Sequence, residues 1–240
     1  MRVLVLDIGG THVKVYRTGG LAPVRIDSGR AMTPKKLVQA VQEATHGWKY
    51  DVVSIGYPGP VVHGTPLRDP LHLGKGWVGF DFQEAFGRPV KVVNDAAMQA
   101  LGSYRGGRML FLGLGTGLGS ALIVDGLLEP MELAHLPYKH GKTFEDYVGT
   151  AALKRLGEKK WTRNVYDVVA RLKDALQADY VVLGGGNAKR VTPFPAGTFR
   201  GENECAREGG LRMWHVHERS KAVAIADERP GTTAASGRLL

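Results

Sequence analysis

A short apolar strand that runs into two glycines and then resumes as a second strand limits most strongly how this chain can fold. The first apolar run ends at Asp7, Gly9 and Gly10 follow, and apolar residues return at Val13 and Val15 with polar residues between them. This alternation predicts a tight β-hairpin.

The chemistry of this turn suits a phosphate group. Because Gly9 and Gly10 have no side chains, an anion can approach the backbone amides closely. Thr11 adds a hydroxyl donor, Lys14 a cation, and Asp7 a carboxylate suited to a hydrated magnesium ion. An ordinary hairpin turn can have the same residues, so this stretch alone leaves both interpretations open.

The same pattern occurs again further along the chain. An apolar strand leads into Gly115, Thr116 and Gly117, and a second apolar strand runs from Ser120 to Val124. The repetition predicts two related half-domains that face each other across a cleft. A dinucleotide fingerprint is excluded, because its third small residue is missing and a strand rather than a helix is expected to follow.

Composition indicates an ordinary globular protein. The chain has 240 residues, 43% of them hydrophobic, which is enough for one large or two small domains. No apolar window is long enough to cross a membrane and no leader is recognisable, so we expect neither export nor membrane insertion. The single cysteine, Cys205, cannot form an internal disulfide, which favours a cytoplasmic protein.

The net charge of +9 implies attraction to polyanions, either nucleic acid or polyphosphate. A solvated surface is the other interpretation of the basic residues. No helix-turn-helix and no alternation of basic and aromatic residues is recognisable, so we expect no nucleic-acid partner. The densest basic cluster consists of Lys154, Arg155, Lys159, Lys160 and Arg163.

Further polar residues follow predicted strands. Asp95, after a buried strand at 90–93, is either a helix cap or a carboxylate that accepts a proton from a substrate hydroxyl, and Asn94 beside it can donate and accept hydrogen bonds. Glu132 and His135 would share one face if a helix forms there, as ligands for sugar hydroxyls. The glycines after the strand at 180–183 are either a plain strand-to-helix turn or a platform for the outer part of a phosphoryl donor.

The element pattern predicts an N-terminal α/β lobe over 1–108, a C-terminal α/β lobe over 109–216 and a disordered tail over 217–240. Helices are expected at 33–45, after Asn94 and Asp95, at 149–156 and at 165–176. A last helix over about 202–214 is expected to pack back on the first lobe.

Short motifs carry a family resemblance over residues 2 to 214. In chain order they are Asp7-Ile8-Gly9-Gly10-Thr11, Tyr57-Pro58-Gly59, Lys75-Gly76-Trp77, Asn94-Asp95-Ala96, Gly115-Thr116-Gly117-Leu118-Gly119, Glu132-Leu133-Ala134-His135 and Gly184-Gly185-Gly186. With them the chain resembles the sugar kinases of the ROK family, and within it the polyphosphate glucokinases. The resemblance implies the actin-like ATPase (ribonuclease H-like) α/β fold, with two lobes around a cleft.

The resemblance also implies an activity, the transfer of a phosphoryl group from polyphosphate or ATP, with Mg, to the 6-hydroxyl of glucose. Asp95 would be the catalytic base, and Asp7 would lie near magnesium and contact it indirectly, through water. The sugar would be held by Asn94, Glu132, His135, Glu145 and Gly59. The donor phosphates or nucleotide would be held by Gly9, Gly10, Thr11, Lys14, Gly115, Thr116, Gly117, Gly185 and Gly186.

Two departures from the family pattern stand out. Ala134 replaces a usual glycine, and the stretch 136–147 lacks the cysteines of the zinc site that many members have, so we expect no structural zinc. Another hexose, such as N-acetylmannosamine, mannose or fructose, is an alternative acceptor. A sugar-sensing regulator is less expected, because the first strand begins at residue 2 and leaves no room for a DNA-binding domain. A homodimer is the default assembly.

Overall fold

The computed structural model describes residues 1–20, 22–201 and 205–214. Its strands are β1 (Val3–Ile8), β2 (His12–Arg17), β3 (Val24–Asp27), β4 (Val52–Tyr57), β5 (Val61–Val62), β6 (Thr65–Pro66), β7 (Val90–Asn94), β8 (Arg108–Leu114), β9 (Leu118–Val124), β10 (Leu127–Met131), β11 (Tyr180–Gly184) and β12 (Thr198–Arg200). Its helices are α1 (Pro34–Ala44), α2 (Phe82–Phe86), α3 (Asp95–Ser103), α4 (Glu145–Val148), α5 (Thr150–Leu156), α6 (Glu158–Ala175) and α7 (Cys205–Arg212), with a 3-10 turn at Ala188–Arg190.

Two five-stranded sheets have the same topology. The first has the order β3-β2-β1-β4-β7 and the second the order β10-β9-β8-β11-β12. In each, the first strand of an antiparallel hairpin pairs with a parallel strand, which pairs in turn with a further parallel strand. The two predicted hairpins are therefore corresponding parts of two related halves.

The central position of β1 in the first sheet explains its apolar sequence. Every residue of β1 is buried, because β2 and β4 flank the strand and both of its faces are covered. Its partner β2 has exposed ends and a mixture of buried and partly buried positions. The unbroken apolar run before Asp7 is thus the sequence of a buried strand.

Helices α3 and α7 pack against each other between the sheets. A Cβ atom at Gly102 would collide with the backbone of Cys205, and one at Gly209 would collide with the carbonyl of Met98. The two helix backbones therefore approach more closely than side chains would allow. Ser54 of β4 donates a hydrogen bond to the carbonyl of Gly210 (2.6 Å), which ties α7 to the first sheet.

Several element boundaries differ from the predictions. Helix α6 begins at Glu158 rather than at Val165, and strand β12 was not predicted. Residues 132–135 form no helix, so Glu132 and His135 do not share a helical face. The predicted tail over 217–240 and residues 202–204 of the last predicted helix lie outside the described residues, and the division at residue 108 stays a prediction.

In the ranges that the structure describes, no helix combines the length and apolarity needed to span a bilayer.

Candidate active site

A cleft of about 760 Å³ lies where strands of both sheets end. Its lining includes residues from the segments that follow β1, β4, β7, β8 and β11, so the carboxyl ends of these strands meet there. The predicted site residues in the lining are Gly9, Gly10, Thr11, Gly59, Asn94, Asp95, Gly115, Thr116, Gly117, Glu132, His135, Glu145 and Gly185. The remaining three, Asp7, Lys14 and Gly186, lie outside it.

The first glycine turn is held in place by a residue that sequence reasoning missed. Ser28 donates its amide to the carbonyl of Thr11 (2.9 Å) and its hydroxyl to the carbonyl of Gly9 (2.7 Å). A Cβ atom at Gly10 would lie 3.1 Å from the Cβ of His72, which also lines the cleft. The turn is thus fixed from two sides, while Thr11 is exposed toward the cleft.

Asp7 lies behind this turn and forms an ion pair. It is 8% exposed, and its Oδ2 lies 3.2 Å from Nζ of Lys14. Lys14 therefore compensates a buried carboxylate instead of lining the cleft. A direct role of Lys14 in phosphate binding stays a prediction.

Asp95 is the first residue of α3, and the helix N-cap is the neighbouring Asn94 rather than Asp95. Asn94 is the helix N-cap, since its Oδ1 accepts hydrogen bonds from the amides of Ala96 (2.9 Å) and Ala97 (3.3 Å). Asp95 Oδ1 also accepts from Ala96 (2.8 Å). Within the described part of the chain, no other residue donates a hydrogen bond to Oδ2 of Asp95, and Asp95 lines the cleft, so this oxygen is available to a ligand there.

The surroundings of Asp95 disfavour its charged form. Burial of the carboxyl group, and then the nearby negative charge of Asp7, raise the pKa of Asp95 to about 7. At neutral pH the carboxylate is therefore a much stronger proton acceptor than an exposed aspartate.

Asn94 also connects α3 to the segment after β4. Its Nδ2 donates to the carbonyl of Gly59 (3.0 Å). A Cβ atom at Gly59 would lie 3.0 Å from the ring of Tyr57, whose hydroxyl donates to the carbonyl of Arg68 (2.7 Å). The segment after β4 is therefore fixed from both ends.

The second glycine turn is supported by two residues that the sequence did not single out as site residues. The carbonyl of Gly115 accepts hydrogen bonds from the amide (3.1 Å) and hydroxyl (2.7 Å) of Thr150, and from Nδ2 of Asn187 (3.3 Å). Asn187 Nδ2 also donates to the Thr150 hydroxyl (2.9 Å). Asn187 directly follows Gly184, Gly185 and Gly186, which form a third glycine turn, so this network joins the second and third turns.

Glu145 lies against the second turn. Its Oε2 accepts a hydrogen bond from the amide of Leu118 (3.1 Å), and a Cβ atom at Gly117 would collide with the same carboxylate. Gly117 is therefore needed for the close approach of Glu145. Glu132 and His135 lie in the turn after β10, with Oε1 and Nε2 3.9 Å apart and side chains 64% and 69% exposed.

The loop over 63–79 is anchored by its tryptophan. The Asp69 carboxylate accepts from the amides of Gly76 (3.0 Å) and Trp77 (2.8 Å), and the fully buried Trp77 donates from Nε1 to the carbonyl of Gly74 (2.8 Å). This anchoring brings Leu71 and His72 to the cleft, where Arg30 also lies. None of these three residues was predicted to line it.

Comparisons with known proteins come from sequence and from structure. No family model matches the chain. A polyphosphate glucokinase from Mycobacterium tuberculosis is 27% identical over 214 residues, which cover 78% of each chain. Among solved structures, the inorganic polyphosphate/ATP-glucomannokinase from Arthrobacter sp. strain KM superimposes with a TM-score of 0.75 and 25% identity, over 90% of this chain and 98% of that one.

A ROK family glucokinase from Streptomyces griseus, solved in complex with glucose and AMPPNP, superimposes with a TM-score of 0.67 at 17% identity, over 89% of this chain and 99% of that one. At that identity the likeness concerns the fold. The chain therefore has the actin-like ATPase fold, and its resemblance to the ROK-family sugar kinases is confirmed.

Proposed function

We propose that the protein transfers a phosphoryl group from polyphosphate or ATP to the 6-hydroxyl of glucose. The observation that carries the proposal is that both glycine-threonine turns line one cleft together with Asp95. The names of the Mycobacterium and Arthrobacter proteins support polyphosphate and ATP as donors.

Asp95 is the proton acceptor in this proposal. Its Oδ2 accepts the proton of the sugar hydroxyl while the hydroxyl oxygen attacks the donor phosphorus. Because burial and Asp7 raise the pKa of Asp95 to about 7, the base is strong enough to assist and is still largely ionised slightly above neutral pH.

The two turns hold the donor. Gly9 and Gly10 line the cleft from one lobe, and Gly115 and Gly117 line it from the other. The amides of Gly9 and Gly115 donate within their own turns, to the carbonyls of His12 (2.9 Å) and Gly117 (3.1 Å), so the donor would be held by the other amides of these turns. Phosphoryl transfer depends mostly on alignment and on neutralising charge, and fixed amides supply both. The hydrogen bonds of Ser28 to the first turn fix its amides before the donor arrives.

Asp7 would hold a magnesium ion at the first turn through water rather than directly, because its carboxylate lies behind the turn and outside the cleft lining. The described residues contain no group of three or more His, Cys, Asp or Glu side chains arranged to hold a metal. A single carboxylate beside a phosphate turn is the usual protein contribution for hydrated Mg²⁺, with waters and donor oxygens as the other ligands. The ion would neutralise charge on the donor phosphates. The absence of structural zinc stays a prediction.

The sugar is proposed to lie between Asp95 and the polar residues of the second lobe. Glu132 and His135 supply exposed acceptors and donors at the rim of the cleft, and Glu145 supplies a carboxylate oxygen next to the second turn. Asn94 supplies its Nδ2, which already donates to Gly59.

A coupled assay for glucose 6-phosphate, with polyphosphate and ATP as separate donors, tests the proposal. Asp95→Asn should lower kcat by about 10² to 10⁴ while glucose binding persists, because the amide keeps the shape of the carboxylate and loses its basicity. Full turnover in this variant would rule Asp95 out as the base. Formation of no sugar phosphate with either donor would refute the kinase proposal.

Mannose is the second acceptor to test, because the Arthrobacter neighbour is named a glucomannokinase. A higher kcat/KM for mannose, N-acetylmannosamine or fructose than for glucose would change the proposed substrate and leave the proposed chemistry unchanged. The homodimer stays a prediction, which size-exclusion chromatography with light scattering can check.

A further inference from the structure

A second cavity, of about 520 Å³, lies between the amino-terminal half of α6 and the residues after β11. It shares no lining residue with the cleft. We call it the basic groove, because its charged lining consists of the four cationic residues Lys159, Arg163, Lys189 and Arg190 and the carboxylate Glu158.

Most of the positive charge in the basic groove is uncompensated. Arg190 pairs with Glu158 (2.9 Å between Nη1 and Oε2). Among the described residues, no carboxylate lies within ion-pair distance of Lys159, Arg163 or Lys189, and all three are exposed. Like charges held close together repel each other, so an anionic ligand in the groove would be favoured.

The local helix geometry adds to this attraction. Lys159 and Arg163 are four residues apart on α6 and therefore project from the same face of the helix. Gly157, the N-cap of this helix, makes no side-chain hydrogen bond to its first turn. The first amides of the helix therefore have no side-chain cap, and the positive end of its dipole lies next to the cationic side chains.

A short segment of the chain connects the cleft to the basic groove. Gly185 lines the cleft, and its carbonyl accepts a hydrogen bond from Ala188 (3.2 Å). The amide of Arg190 donates to the carbonyl of Asn187 (3.0 Å), and Asn187 holds the second glycine turn. Lys189 is the fourth residue after Gly185, so their Cα atoms lie within about 14 Å of each other.

We propose that the basic groove binds the phosphates of a polyphosphate donor that extend beyond the transferred group. This inference rests on the proposed function, because it takes the donor phosphates to lie at the glycine turns. A linear polyanion carries charge along its whole length and can occupy the cleft and the groove together. A nucleotide carries its charge on the phosphates and has an uncharged sugar and base beyond them, so it gains little from the groove.

The test compares two donors in the double variant Lys159→Gln/Arg163→Gln. The KM for long-chain polyphosphate should rise about tenfold, since two exposed cation–phosphate contacts are lost, while the KM for ATP changes less than about twofold. In the unmodified protein the KM per chain should fall as polyphosphate lengthens, and the variant should lose this dependence on length. Lys160→Gln is the matched control, because Lys160 is exposed on the same helix and does not line the groove.

The outcomes separate the groove from the proposed function. In the double variant, an unchanged KM for polyphosphate, or an equal rise in KM for both donors, would overturn the groove proposal and leave the proposed kinase activity intact. The same conclusion would follow if the unmodified protein used ATP and not polyphosphate. If no sugar is phosphorylated with either donor, the proposed function fails. Calorimetric binding of long-chain polyphosphate then decides the groove: weakening in the double variant, and not in Lys160→Gln, supports it, and equal binding refutes it.

Discussion

Single residues decide the chemistry of the cleft, and some of these residues could be predicted from the sequence. Glycines beside a threonine, and a carboxylate after a buried strand, are local patterns that a sequence displays. Ser28, His72, Thr150 and Asn187 could not be assigned in this way, because each acts on a turn far away in the chain. The sequence around a serine or threonine does not show which distant residue its side chain will contact.

The raised pKa of Asp95 predicts the pH dependence of the reaction. The base acts in its ionised form, so kcat/KM should be constant well above pH 7 and fall about tenfold per pH unit below it, with an apparent pKa near 7 in the free enzyme. Initial rates at limiting glucose and limiting donor between pH 5 and 9 measure this acid limb of the pH profile. A limb near the ordinary aspartate value would show that the environment of Asp95 differs in solution.

Lys14 is expected to adjust this pKa through Asp7. Its ammonium group lies 3.2 Å from Asp7 Oδ2, and the charge of Asp7 raises the pKa of Asp95. Lys14→Met removes the compensating cation, so the pKa of Asp95 should rise further and the acid limb should move to higher pH. Lys14→Arg keeps the charge and should leave the limb nearly in place. The contrary result is a limb that does not move in Lys14→Met, or that moves equally in both variants.

At the scale of elements, the two hairpins and α1 were predictable because each is defined by neighbouring residues. Thr33 caps α1 through the amide of Lys36, and Pro34 follows at its first position, so the start of the predicted helix is fixed by adjacent residues. The start of α6 at Glu158 was missed, because its first turn is polar and has no side-chain cap. Strand β12 has three residues, two of them exposed, and is defined by its pairing with β11 rather than by its own pattern.

Helix α7 shows how packing can oppose intrinsic propensity. In an isolated helix, Gly209→Ala would stabilise by about 1 kcal/mol. Here the added methyl group would collide with the Met98 carbonyl of α3, so we expect the free energy of unfolding to fall by about 1 to 3 kcal/mol. Thermal and urea unfolding measure the change. Gly186→Ala is the control, since its Cβ atom would meet nothing within 4 Å and stability should hardly change. A more stable Gly209→Ala would mean that α3 and α7 are further apart in solution.

At the scale of the whole molecule, the cleft depends on residues from both sheets. The first turn follows β1 and the second follows β8, which are corresponding strands of the two related sheets. A donor that contacts both turns holds the two lobes together. The repeated hairpin predicted this duplication, while the joining of the two sheets by α3 and α7 depends on close contacts that no local pattern displays.

The shared cleft also leads to a prediction about donor hydrolysis, in which water replaces the sugar as the phosphoryl acceptor. A five-carbon sugar such as xylose lacks the 6-hydroxymethyl group, so it can occupy the sugar position and leave space for water beside Oδ2 of Asp95. We expect donor hydrolysis to be slow without sugar and to increase severalfold with xylose, because the bound sugar completes the site and water then takes the place of the missing hydroxyl. Phosphate release from ATP with and without xylose measures this effect.

Asp95→Asn serves as the control for this stimulation, because water activated by the same carboxylate should stop reacting in that variant. If xylose leaves hydrolysis unchanged while it competes with glucose, sugar binding does not complete the catalytic arrangement. The donor turns would then be fully arranged in the free protein, as the hydrogen bonds of Ser28 and Thr150 already hold each of them separately.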